Sequence, residues 1–145
     1  MKKILFVLSL LTCTTTLFAQ QEWGDVNKNT LTMKEIGPIW PGCENGSSVI
    51  RSKCFNQRLS KHIATNFKYP VSAYKNNEQG KVIVEFMITE QGLVDVKKVS
   101  GGTTALQTEA KRNIMTIPKM VKPGMLGGKP RAIKFIVPFN FKTGK

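Results

Sequence analysis

The chain has 145 residues, 22 of them Lys or Arg and 9 Asp or Glu, for a formal charge of +13 at pH 7. That length accommodates one domain with a modest core. With 41% hydrophobic residues, 12 Gly and 7 Pro, the composition excludes a disordered tail or a collagen-like repeat, and the basic surplus favours an anionic partner without naming one.

Residues 1–19 read as a secretory signal peptide: Lys2 and Lys3, an apolar run over 4–11, a Thr-rich segment and the small residue Ala19. The run is too interrupted by Thr12, Cys13, Thr14, Thr15 and Thr16 for an ordinary membrane span. A lipoprotein-type signal at Leu10-Leu11-Thr12-Cys13, with Cys13 acylated and holding the protein to a membrane, is the minor alternative. Cleavage after Ala19 leaves 20 basic and 9 acidic residues, a charge of +11, on a periplasmic chain that never meets the chromosome. Nucleic acid is thereby removed as a partner.

Residues 20–54 are expected to form a flexible lead-in, polar and without periodicity to about Ile36, followed by a turn-rich loop in which Trp40 folds onto the domain. Export also removes Cys13, leaving Cys43 and Cys54 as a pair that an oxidising compartment should join. A loop of that size is worth about 3 kcal/mol on the chain-entropy estimate. A zinc site is a poor reading of Cys43, Cys54 and His62, because there is one His and no Cys-x-x-Cys.

Over 55–67, Phe55, Leu59, Ile63 and Phe67 recur every fourth residue, marking the buried stripe of a helix that Tyr69-Pro70 stops. His62 lies beside that stripe and reads as a boundary residue rather than a base. Gly80 opens a strand in which Val82, Val84, Phe86 and Ile88 alternate with Lys81, Ile83, Glu85 and Met87. After the turn Thr89-Glu90-Gln91-Gly92, a second strand carries Leu93, Val94, Val96 and Val99, completing a hairpin. Thr104 and Gln107 have capping-box spacing at the start of a helix with Leu106, Ala110 and Ile114 on one face and Ile117 continuing it, ended by Pro118. A last strand over 131–141 places Ile133, Phe135, Val137, Phe139 and Phe141 on one face, and Pro138 marks it as an edge.

Catalytic chemistry finds no support in this pattern. A Ser or Cys nucleophile needs a nearby base, usually His, and the only His is His62, while Glu85, Glu90 and Asp95 read as solvated. Gly101-Gly102 lacks the Lys-Ser/Thr of a nucleotide loop. The chain is read as non-enzymatic, with no cofactor, no metal and no catalytic residue.

The ordered motifs Tyr69-Pro70-x-x-Ala73, Gly80-x-Val82-x-Val84-x-Phe86-x-Ile88, Gly92-x-Val94, Leu106-x-x-Glu109-Ala110, Ile117-Pro118-Lys119, Pro123-Gly124, Gly128-Lys129-Pro130 and Pro138-x-x-Phe141 carry a resemblance. Over roughly 55–142 the chain resembles the C-terminal domain of TonB, as found in Bacteroidetes-type energy-transducer-like proteins. Pro41-Gly42-Cys43-Glu44 and Lys53-Cys54 resemble a segment often seen ahead of that domain. Met120 stands where the family usually has Trp, which implies altered packing in the same fold.

The resemblance implies an α+β domain over 55–145, a β-hairpin, helix and edge strand (ββαβ) preceded by an extra N-terminal helix. It also implies docking of an outer-membrane TonB-dependent transporter, or another envelope protein, by strand addition. The residues so implicated on the edge strand are Arg131, Ile133, Lys134, Phe135, Ile136 and Val137, with Arg131, Lys134 and Lys142 able to attract an acidic or carbonyl-rich segment. Lys134 and Lys142 equally suit protection of an exposed strand edge. Two other functions stay open. One is an energy transducer anchored by an uncleaved N-terminus, although the chain shows no long Pro-rich span to cross the periplasm. The other is a weak contact of the +11 charge with an envelope polyanion. Oligomeric state is not legible.

Overall fold

Two apolar periodicities organise the fold in the computed structural model, which describes residues 35–144. In chain order the elements are β1 (Glu35–Ile36), α1 (Ser48–Asn66), α2 (Val71–Lys75), β2 (Gly80–Ile88), β3 (Val94–Ser100), α3 (Thr104–Met115), β4 (Gly124–Leu126), β5 (Lys129–Arg131) and β6 (Ile133–Phe141). The expected signal segment and most of the expected lead-in lie outside the described residues.

The period-two run becomes the middle strand of an antiparallel sheet ordered β3-β2-β6. Val82, Val84, Phe86 and Ile88 of β2 are fully buried. Their face is covered by α1 and α3: Phe55 of α1 meets Phe135, Phe67 meets Phe141, and Leu106, Ala110 and Ile114 of α3 complete the core. Trp40 folds onto this core as expected, edge-on to Phe55 and His62. Met120 is buried in it as well, so a flexible thioether fills the space. A second sheet, ordered β1-β4-β5, stands beside the first.

Several local expectations are corrected. Glu35 and Ile36 pair with Leu126 and Met125, so the end of the lead-in is strand. Helix α1 starts at Ser48, seven residues before the apolar stripe, because Ser47 caps it by accepting the Ile50 amide at 3.4 Å. After α1, Pro70 precedes a short unpredicted helix, α2. Leu93 lies outside β3 and is exposed. The step from Val96 to Val99 is a β-bulge: Phe86 faces Val96 and Glu85 faces Lys98, leaving Lys97 extra.

The expected capping box does not form. Thr103 is the N-cap of α3, its hydroxyl donates to Glu78, and Gln107 reaches back to the Gly101 carbonyl at 3.0 Å. The expected strand over 131–141 is broken at Ala132. Gly127 and Gly128, both at positive φ, fold β5 onto β4, so Arg131 pairs with Gly124 in the second sheet and β6 begins at Ile133.

Candidate functional site: the edge of β6

Strand β6 pairs with β2 along one side, and no described strand pairs with the other. Residues of a strand direct their N–H and C=O alternately to the two sides. Pro138 stands opposite Ile83 in an unbroken register and has no N–H, so this pair is a non-hydrogen-bonded one. The ladder bonds to β2 then fall to the odd-numbered residues, and the amides of Lys134, Ile136 and Asn140 face the unpaired side. Their side chains are exposed, Ile136 by 58% although it is apolar.

The six residues expected on this edge therefore separate. Arg131 lies in β5. Ile133, Phe135 and Val137 turn toward the helices and are half-buried, Phe135 stacked on Phe86 at 5.4 Å. Lys134 and Ile136 turn to the outer face of the sheet. Lys134 Nζ is 2.6 Å from Glu85 Oε2. Its hydrogen bond holds the Glu85 carboxyl below the ordinary carboxylate range, against a smaller opposing effect of desolvation. Glu85 is thus ion-paired and only partly exposed, not freely solvated.

Between β6 and α1 lies a half-open cleft of about 140 Å³, walled by Ile133 and Phe135 on the strand, Ser52, Phe55 and Asn56 on the helix, and Gly37 and Pro38. Sequence reasoning missed it. Ser52 and Asn56 flank the apolar stripe without a signal of their own, and nothing in their spacing places them beside residues some 80 positions later.

The remaining polar candidates serve the fold. His62 Nε2 lies 3.3 Å from the Asn113 carbonyl and 3.2 Å from Thr116 Oγ1, joining α1 to the end of α3. Asp95 pairs with Lys97. Cys43 and Cys54 form a disulfide with Cα atoms 5.8 Å apart. Among the described residues no group of three His, Cys, Asp or Glu is placed to hold a metal, and no helix is long and apolar enough to cross a membrane.

No curated protein matches the sequence. Two NMR solution structures of Helicobacter pylori TonB-CTD are similar to it, each at 20% identity. The first covers 68% of this chain and 85% of its own at a TM-score of 0.43, the second 63% and 96% at 0.42. The family described as Gram-negative bacterial TonB protein C-terminal matches residues 65–143, from the end of α1 through β6. That match takes in the central sheet, α3 and the open edge, and spans more than half of the sequence. The chain belongs to the TonB C-terminal family.

Proposed function

We propose that the protein is a non-enzymatic, exported module of the periplasm that takes part in TonB-dependent transport. It docks an extended segment of an outer-membrane transporter, or of another envelope protein, by adding it as a strand to β6. The observation that carries this reading is the unpaired edge, with outward amides at Lys134 and Ile136. Family membership supports it, because the matched residues include that edge. Main-chain hydrogen bonds would supply affinity and the alternating side chains selectivity.

The test is a photoreactive residue at Lys134, compared with one at exposed Lys111 on α3, in intact envelopes. A crosslink to a β-barrel transporter from Lys134 alone, lost on Ile136→Pro, is expected. Equal crosslinking from both positions, or survival after Ile136→Pro, would overturn the reading. Pro belongs at 136 because at 135 it would break the ladder to β2 instead.

A second reading has its own support. Helix α1 contains no acidic residue and exposes Lys53, Arg58 and Lys61, which suits a weak contact with an envelope polyanion. Such binding should fade as salt rises toward 1 M, where screening shortens to about 3 Å.

A further inference from the structure

We infer that the cleft between β6 and α1 is a side-chain pocket that selects one aliphatic residue of the docked strand. The inference rests on the strand-addition reading. In an added strand, the residue opposite Phe135 projects to the same face as Phe135, because strand side chains alternate with period two. That face is the underside of α1, where the cleft opens. Its space of about 140 Å³ is close to that of an apolar cavity of about 150 Å³ that holds a benzene ring, enough for Val or Leu.

Phe55, Ile133, Phe135 and Pro38 make the walls apolar, while exposed Ser52 and Asn56 form the rim. Cationic Lys53 follows Ser52, cationic Arg131 lies two residues before Ile133, and both are exposed with no carboxylate anywhere in α1. The flanks of the docked segment are therefore acidic rather than basic. Pro38, Ser52, Phe55 and Asn56 all precede the family match, which begins at residue 65. The pocket is thus a feature that the upstream segment adds to the shared edge, and it sets which partners this chain accepts.

The test uses the full chain and fluorescein-labelled peptides Glu-Thr-Val-Xaa-Val-Thr-Glu, blocked at both ends, with Xaa as Gly or Leu. Anisotropy should show Leu binding about tenfold more tightly than Gly, as expected for burying an aliphatic side chain. Ser52→Phe, which fills the cleft from an exposed position, should reduce the Leu peptide to the affinity of the Gly peptide and leave the Gly peptide unchanged. Asn56→Met fills it from the next turn should Ser52→Phe fail to fold.

Equal binding of Leu and Gly peptides, or a Leu preference that survives both fillings, overturns the pocket while leaving strand addition standing. Binding that survives Ile136→Pro, or no binding of any peptide, overturns strand addition itself. Sedimentation as a dimer that the peptides do not dissociate assigns the edge to a second copy and overturns the pocket as well.

Discussion

Glu109 accepts the Lys68 amide at 2.9 Å and the Arg112 guanidinium twice at 2.7 Å, and Arg112 passes on to the Asn66 carbonyl. One carboxylate on α3 thereby fixes the chain where it leaves α1. Glu109→Ala should cost about 1–3 kcal/mol in urea denaturation, since it strands hydrogen-bonding groups that are partly desolvated. Glu109→Gln, which can still accept from Lys68, should cost less. The residue was visible in the sequence only as part of a motif, because its partner Lys68 lies 41 positions away. Charge on the sheet's outer face makes a different prediction. Folding lowers the Glu85 pKa through Lys134, so the pair stabilises the fold fully above the ordinary carboxylate range. That contribution is lost as pH falls through the lowered folded value. Lys134→Met should therefore lower stability near neutrality and make no difference in strong acid, as followed by thermal unfolding across pH.

Elements defined by a long apolar period were legible: β2, the Leu106, Ala110 and Ile114 face of α3, and Phe55 and Leu59 of the α1 stripe stand where the spacing puts them, while Ile63 is half-buried and Phe67 falls just past the helix. Their ends were not, because a cap or a turn is decided by short polar contacts that periodicity does not carry. Ser47 rather than Phe55 sets the start of α1, and Thr103 rather than Thr104 that of α3. The break at Ala132 has a steric partner in Gly124, where an added Cβ would lie 2.2 Å from Ile133 Cγ1 and 3.0 Å from the Arg131 carbonyl oxygen. Gly124→Ala should push Ile133 out of place and cost about 1–3 kcal/mol by thermal unfolding, as overpacking does. The disulfide joins the Trp40 loop to α1. Cys43→Ser with Cys54→Ser should cost about 3 kcal/mol and shift Trp40 emission to the red at denaturant concentrations where the oxidised protein stays folded.

For the whole molecule, the hairpin, α3 and the open edge could be anticipated from motifs and from Pro138, whereas α2, β4 and β5 could not. The cleft could not, because it exists only once the segment ahead of the family match is laid against β6. That segment also has a mechanical consequence. Traction on the chain upstream of Glu35 would first peel β1 from β4, then the bridge between Ile39 and Lys122, and then reach Cys43. There the load crosses the disulfide to Cys54 and bypasses residues 44–53. Pro38 lies on the loaded path and Ser52 on the shielded one, so pulling strips one wall of the cleft and leaves the other in place. Optical-trap extension of the oxidised chain should release at most about 30 Å at this step, some nine residues at 3.3–3.6 Å each less the distance they already span. A first step of the same length in the reduced protein would show that the bridge does not arrest the peeling.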